Sequence, residues 1–380
     1  MIQSISIKNI AKKEKTIEVD WSDGKKSNFH FLWLRDNCPS DIHPTARERL
    51  FNLVSISENI RPESYKINNE GKLEIKWNEG NHISYFEPSW LRSHCYTIKN
   101  SKKYISPYKL WDKSLLENLS DVSIECEEIM KSDESLIKWL ELLLQYGISV
   151  VKNAPTEKNS GLKVLNKISH IRETFFGTPF EVINIPEPNN TAYTAKKLDS
   201  HTDLPYFETP PGYQFLHCLI NNADGGMSSI IDGFKVIEYL KNNESEIFEI
   251  LKKVEVKFIN NDYTQKTIRI INSPIISLTK EGDYKEIRFN IGQTGTINCP
   301  VDLMENFYKA YRRFAELLHS EQFCVNFKLI KGDIFSFDNR RVAHGRTEFD
   351  PKSGHRHLQG YYMDRDEIRS RLNYLKKIEL

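Results

Sequence analysis

Three residues carry the clearest chemistry in this chain: His201, Thr202 and Asp203, in the segment Leu198-Asp-Ser-His-Thr-Asp-Leu-Pro-Tyr206. Alternate residues of an extended strand point to one side, so His201 and Asp203 offer an imidazole and a carboxylate to one point. One more His completes a facial triad, which holds Fe(II) and leaves three coordination positions open. A lone His-x-Asp pair means little in a chain with 11 His. Its weight comes from the groups downstream of it. Gly225-Gly-Met-Ser228 leads into Ile230-Ile-Asp-Gly233, so a turn delivers a hydroxyl to a strand start. A strand-like run from Asp333 to Asn339 precedes Arg340-Arg-Val-Ala-His344-Gly-Arg346, and Arg356 comes twelve residues after His344. That interval lets the chain turn and return along a neighbouring strand, so His344 and Arg356 can face one cavity. A dicarboxylic 2-oxo acid chelating a metal at one end needs a planar, permanently charged fork for its far carboxylate. Arg356 supplies that fork, with the Ser228 hydroxyl as a second donor.

These groups need elements to hold them. Residues 1–97 read as a small β-rich domain: alternating Ile5 and Ile7, then Thr16–Val19, an extended Phe29–Leu34, Tyr65–Ile67, Leu73–Trp77 and Ile83–Tyr85, with turn residues between. Residues 98–110, including polar and basic Lys99–Tyr104, form the linker, and 111–380 a larger domain. There, Leu136–Tyr146 is an apolar run of helical length stopped by Gly147. Apolar spacing predicts further helices over 160–175, Val236–Val254 and Glu305–His319. The remaining runs predict strands at 148–151, 215–220, 229–232, 254–259, 268–271, 287–290, 324–329, 333–338 and 357–362. Many strands with few helices indicate a mainly β fold, a barrel or sandwich flanked by helices. No internal repeat is visible.

Composition narrows the class. The net charge is +1, from 53 Lys and Arg against 52 Asp and Glu, so no field favours nucleic acid or an anionic membrane. No apolar run reaches membrane-spanning length, and the first residues have no signal-like apolar stretch. Six Cys lack paired spacing, which predicts reduced thiols in the cytoplasm.

The ordered motifs carry a resemblance. Asn190-x-Ala-Tyr193, Ser200-His-Thr-Asp203, Pro210-Pro-Gly212, Leu216-His-Cys218, Gly225-Gly-x-Ser228, Ile231-Asp-Gly-Phe234, Asp338-Asn339, His344-Gly-Arg346 and Arg356-His-Leu-x-Gly-x-Tyr362 resemble the γ-butyrobetaine hydroxylase and trimethyllysine hydroxylase family. That family belongs to the taurine dioxygenase-like Fe(II)/2-oxoglutarate dioxygenases. Leu34-Arg-Asp-Asn-Cys38 and Trp90-Leu-Arg92 resemble its N-terminal module, so the likeness spans nearly the whole chain.

The resemblance implies a double-stranded β-helix (jelly roll) core, a homodimer, Fe(II), 2-oxoglutarate and O₂, with ascorbate as reductant. By position it implies His201, Asp203 and His344 as iron ligands, and Arg356 with Ser228 for 2-oxoglutarate. Phe176, Phe180, Tyr193 and Tyr362 match an aromatic cage for a small quaternary ammonium substrate, since ring faces attract a cation that cannot donate hydrogen bonds. Asn190 and Asn290 match positions for the substrate's anionic end, and Arg288 adds a charge beside them. The leading reaction is γ-butyrobetaine to carnitine. Arg288 raises 2-(trimethylammonio)ethylphosphonate as an alternative, because a guanidinium suits a dianion. Further readings are a trimethyllysine hydroxylase, a zinc-dependent hydrolase using the same triad, and an inactive binding relative.

His217 and His357 sit in apolar strand contexts and read as core histidines; His319 reads as a charge partner at a helix C-terminus. The first domain departs from its relatives, which carry a Cys-x-Cys-x-x-Cys zinc cluster. Here Cys38, His43 and His82 remain as a possible weak metal site, short of the four ligands of a closed structural zinc.

Overall fold

A computed structural model describes residues 5–97, 108–114, 119–184, 194–263 and 265–377. The chain divides into two compact units, Met1–Tyr104 and Ile105–Leu380.

The first unit holds two three-stranded antiparallel sheets, Ile7–Lys12/Thr16–Trp21/Lys26–His30 and Pro62–Ile67/Leu73–Trp77/Ile83–Phe86. A short helix follows each, Phe31–Asp36 and Pro88–Ser93, so the expected extended stretch to Leu34 turns helical at Phe31. The two halves are copies of one unit, a repeat that the sequence reading overlooks. Trp21, Gly24, Ser27, Phe29, Trp33, Leu34, Arg35 and Cys38 correspond in order to Trp77, Gly80, Ser84, Phe86, Trp90, Leu91, Arg92 and Cys95. In each half the buried indole N–H donates to the buried serine, at 2.6 Å for Trp21–Ser27 and 2.8 Å for Trp77–Ser84. The halves are interlocked: Arg92 pairs with Asp23 at 2.8 Å, Arg35 with Glu79 at 3.4 Å, and Trp33 meets Trp90 at 5.7 Å. One-residue and side-chain differences between the halves hide the period from a scan of the sequence.

In the second unit two sheets face each other. One has four strands in the order Leu198–His201, Val342–Arg346, Ser228–Asp232, Val325–Phe327. The other has six: Ser123–Glu125, Ile148–Lys152, Ile334–Asp338, Tyr213–Asn221, Arg356–Met363, Phe180–Ile183. All pairings are antiparallel except that of the first two strands of the larger sheet. Between the sheets lies an apolar layer with Ile230 and Val342 from one side and Phe335, Phe337 and Leu358 from the other. This is the double-stranded β-helix. Behind the larger sheet, helix Asp133–Tyr146 lays Leu136, Trp139, Leu140 and Leu143 on Tyr213, Phe215, Tyr361 and Met363. Gly147 ends the helix with φ 71°, a left-handed conformation that suits glycine.

Other helices differ from their periodicity. The pattern over 160–175 yields only Gly161–Leu165, because the chain leaves the helix to bond Arg172 N–H to the Tyr362 carbonyl at the sheet margin. The run 236–254 breaks into Gly233–Asn243 and Ser245–Lys253 at Glu244, whose carboxylate pairs with Arg313 from helix Val301–Leu318. The strand expected at 287–290 ends at Ile287.

One close approach tests this packing. A Cβ on Gly360 would lie 2.1 Å from the Phe180 ring on the neighbouring strand. Gly360→Ala is therefore expected to destabilise the protein by about 1–3 kcal/mol, the range for overpacking a filled core. Chemical denaturation measures it, and an unchanged midpoint would show that Phe180 moves freely.

Candidate active site

His201 is the last residue of its strand and lies directly across from His344, which in turn faces Ile230. Residues opposed in this way share one face of the sheet, so both imidazoles enter the space between the sheets. Their ring centroids are 4.4 Å apart. His201 Nδ1–H points at the Asp199 carbonyl at 2.7 Å, which leaves Nε2 as the free ligand atom.

Asp203 lies beyond the strand's end, so strand alternation does not place it. Tertiary hydrogen bonds do. Thr202 N–H donates to the Phe289 carbonyl at 2.7 Å, and its hydroxyl accepts from Phe289 N–H at 3.0 Å. Asn339 accepts from Asp203 N–H at 2.7 Å and donates to the Asp203 and Pro211 carbonyls at 3.0 and 3.2 Å. Leu204 then takes φ 53°, a strained value for a residue with a side chain, held by the surrounding bonds. The result is a cluster in which His201, Asp203 and His344 ligand atoms all lie within 4.8 Å of one another. Asp203 Oδ1 is 3.2 Å from His201 Nε2 and 3.7 Å from His344 Nε2. The other oxygen, Oδ2, accepts from the Tyr362 hydroxyl at 2.7 Å.

The electrostatics suit a dication. Burial, reinforced by His201, pushes the His344 imidazole down to about 3, so it is a neutral donor. Burial opposes charge on Asp203 too, but His344, His201 and the Tyr362 hydroxyl outweigh it and hold the carboxyl well below its usual range. Two imidazoles and one ionised carboxylate are the donor set that Fe(II) takes in a facial triad, so these residues fit iron.

Arg356 lies in the larger sheet and His344 in the smaller, so they face across the sandwich instead of along neighbouring strands. Arg356 is 9% exposed, its Nε has no hydrogen-bond partner among the described residues, and burial together with Arg346 lowers its pKa to about 9. A buried guanidinium with no carboxylate among its described neighbours calls for an anionic ligand. Ser228 is buried directly across from Arg346, on the same sheet face as His344. Arg346 itself anchors the approach to the His201 strand by donating to the Thr194 and Lys196 carbonyls.

Among the expected cage residues, Phe176 and Phe180 lie 6.1 Å apart, and Phe180 stacks on Tyr362 at 4.9 Å. Phe180 and Tyr362 are buried, while Phe176 is half-buried. Phe175, which the sequence reading passes over, joins this row 4.3 Å from Phe176. Tyr193 and Asn190 lie outside the described residues. Asn290 follows Phe289 at the site, with its amide nitrogen on Gln293.

Arg288 requires a correction. Its guanidinium is buried and donates to Glu286 at 3.1 Å and to the carbonyls of Pro205, Phe207 and Glu208 at 2.8–3.2 Å. Four of five donors are engaged, so it clamps the loop after Asp203 and is no open partner for a substrate anion. Sequence reasoning also missed the role of Asn339 and the Tyr362 hydroxyl; nothing in their local spacing signals either.

In the first unit the structure gathers Cys38, Asp41 and His82, with His82 Nε2 3.3 Å from Cys38 Sγ. His43 is not part of this group: its Nδ1 accepts from Thr45 and Ala46 N–H, closing a turn. Asp41 is paired with Arg35. Of the remaining histidines, His217 is fully buried, as expected for a core residue. His357 is not: it is half-buried and bonded to Glu181 at 2.6 Å. His319 caps its helix and approaches Asp199 at 3.4 Å.

A His-Asp-His triad on the inner face of a double-stranded β-helix, opposite a buried arginine, defines an Fe(II)/2-oxoglutarate-dependent dioxygenase, which uses Fe(II), 2-oxoglutarate and O₂. Residues 111–362 match the model of the taurine catabolism dioxygenase TauD, TfdA family, and residues 8–92 match the γ-butyrobetaine hydroxylase-like N-terminal model. The chain belongs to the TauD/TfdA family. It is 36% identical over 366 residues to the γ-butyrobetaine dioxygenase of Pseudomonas sp. (strain AK-1), covering 95% of this chain and 94% of the relative. The human γ-butyrobetaine dioxygenase is 32% identical (95% and 94% covered), and the human mitochondrial trimethyllysine dioxygenase 32% (90% and 81%). Among solved structures, AAD-2 in complex with Mn(II) and N-oxalylglycine aligns with TM-score 0.51 at 14% identity, covering 63% of this chain and 93% of that one, a likeness of fold.

The triad generates a direct test. Asp203→Ala and His201→Ala are expected to abolish succinate formation and to lose stoichiometric Fe(II) in titrations, while circular dichroism stays that of the folded enzyme. Wild-type turnover by either variant would place the metal elsewhere.

Proposed function

We propose that this enzyme hydroxylates a short trimethylammonium acid, with γ-butyrobetaine, giving carnitine, as its substrate. The observation that carries the proposal is the row of rings Phe176, Phe180 and Tyr362, whose last member hydrogen-bonds Asp203. A quaternary ammonium against those ring faces is attracted by their quadrupoles, and its chain reaches the triad within a few bonds. The family resemblance assigns Tyr193 to the same cage, and Asn190 and Asn290 to the acid end. Because the donors of Arg288 are engaged internally, the reason for preferring a phosphonate dianion falls away, and a carboxylate suits the neutral amides better. The Pseudomonas γ-butyrobetaine dioxygenase is 36% identical, against 29% and 32% for the Meyerozyma and human trimethyllysine dioxygenases, which supports the same choice.

His201, Asp203 and His344 would hold Fe(II), and Arg356 with Ser228 the far carboxylate of 2-oxoglutarate. When bound, the metal couples oxidative decarboxylation of 2-oxoglutarate to succinate and CO₂ with transfer of one oxygen atom of O₂ into a C–H bond. The chain's own part is positioning. Asn339 and Arg288 fix the loop of Asp203, Tyr362 restrains its second oxygen, and the cage limits which carbon lies at the metal.

Arg356→Ala is expected to raise the KM for 2-oxoglutarate tens-fold or more, since losing a buried charge-assisted pair costs ~2–5 kcal/mol, while the KM for the ammonium substrate changes far less. An unchanged cosubstrate KM would move the carboxylate elsewhere. Substrate identity is tested by succinate release across trimethylammonium acids, their phosphonate analogues, trimethyllysine and taurine. The highest kcat/KM is expected for γ-butyrobetaine; a higher value for taurine or for uncharged analogues would overturn the cage.

A further inference from the structure

Three residues after Asp203, Tyr206 is 3% exposed and its hydroxyl has no hydrogen-bond partner among the described residues. Tyrosine normally brings a partner for its hydroxyl when buried, and an unpaired one is unfavourable. The hydroxyl of Tyr362, by contrast, is satisfied by Asp203, so a lone hydroxyl is not shared by the described tyrosines here.

Its position is fixed by the backbone. Phe207 N–H donates to the Leu204 carbonyl at 3.1 Å, closing a turn with Pro205 and Tyr206 at its centre. Arg288 holds the carbonyls on either side of Tyr206, those of Pro205 and Phe207, and that of Glu208 beyond. The Phe207 ring meets Tyr206 edge-on at 5.6 Å. Tyr206 also belongs to the buried cluster that contains Phe180, Phe289 and Tyr362. A strained and clamped turn, beginning one residue after Asp203, thus carries an unsatisfied hydroxyl in the buried cluster that also holds Phe180 and Tyr362.

The chemistry of the hydroxyl selects its ligand. Burial, with the Asp203 carboxylate nearby, pushes its pKa well above the usual phenol range, so it keeps its proton and donates. A trimethylammonium group has no lone pair to accept that proton. Arg356, in the larger sheet, already provides for the far carboxylate of 2-oxoglutarate. We propose that the Tyr206 hydroxyl donates a hydrogen bond to the acid group of the prime substrate and so selects trimethylammonium acids over simple alkylammonium compounds. This rests on the substrate class proposed above and adds a specificity residue to it.

The experiment compares wild type and Tyr206→Phe with two ligands that share the cation, γ-butyrobetaine and butyltrimethylammonium. Binding is measured by calorimetry on the Fe(II)-free enzyme, turnover by succinate release. For γ-butyrobetaine the variant's Kd and KM should rise roughly ten- to a hundredfold, the worth of a hydrogen bond to a charged acceptor. Affinity for butyltrimethylammonium and the KM for 2-oxoglutarate should not change. The ligand-free variant should melt no lower than wild type, because only an unpaired hydroxyl is removed. Equal losses for both ammonium ligands, a raised 2-oxoglutarate KM, or a lowered melting temperature with unchanged γ-butyrobetaine affinity would each overturn the proposal. Wild-type enzyme that binds neither ammonium compound would overturn the substrate class and this proposal together. Wild-type preference for the acid that survives in Tyr206→Phe would overturn the proposal alone.

Discussion

The site depends on how the chain holds Asp203 after its strand has ended. The last ladder position is His201, opposite His344, and past it the backbone has no strand partner in the smaller sheet. Asn339 replaces the ladder with an amide that both accepts from Asp203 N–H and donates to its carbonyl. The asparagine is fully buried and its own N–H is bonded to the Gly212 carbonyl, so the loops holding Asp203 and Gly212 meet on one residue. A carboxylate held in this way can serve a metal only if its orientation is also restrained, which the Tyr362 hydroxyl provides.

Around that point the fold arranges buried charge in pairs. Arg341 and Asp232 are both fully buried and bidentate, with remaining guanidinium donors on the Gln145 and Lys109 carbonyls. Arg365 Nε donates to both carboxylate oxygens of Asp338, and Glu286 is shared by Arg288 and Arg340. Such pairs add little net stability, yet removing one partner is costly, so they define which loop conformations are allowed. Among these arginines Arg356 differs: no carboxylate lies among its described contacts, and its Nε has no hydrogen-bond partner among the described residues. That contrast between satisfied and unsatisfied groups is the basis of the roles proposed for Arg356 and Tyr206.

The aromatic row shows the same economy of parts. Phe180 packs flat on Tyr362 only because Gly360 leaves room for its ring, and Tyr362 touches both that ring and the Asp203 carboxylate. In the proposed function, substrate recognition and the orientation of Asp203 would share this one residue.

Much of this was legible in the chain itself. His201, Asp203, His344 and Arg356 were singled out by residue type and motif order, because metal and carboxylate chemistry admits few side chains. Neither the strand alternation expected for Asp203 nor the neighbouring-strand return expected for Arg356 is what the fold uses. Strands such as Tyr213–Asn221, Ser228–Asp232, Ile334–Asp338 and Arg356–Met363 were readable from local apolar patterns, whereas Val342–Arg346, which carries His344, was not. Other features depend on partners far away in sequence, where no local period reports them. Arg288 looked available beside Asn290, but loop carbonyls eighty residues upstream occupy it. The helix expected over 160–175 stops early because the backbone at Arg172 gains a bond to Tyr362. In the first unit each half of the repeat was present in the sequence, while the exchange of Arg35 and Arg92 between halves that makes it recognisable exists only once folded. The sequence by itself determined which groups could do the chemistry, since those choices lie in side-chain type. Only the tertiary structure decided which charged or hydroxyl groups remain unpaired for a ligand, because hydrogen-bond satisfaction is a property of the folded contacts.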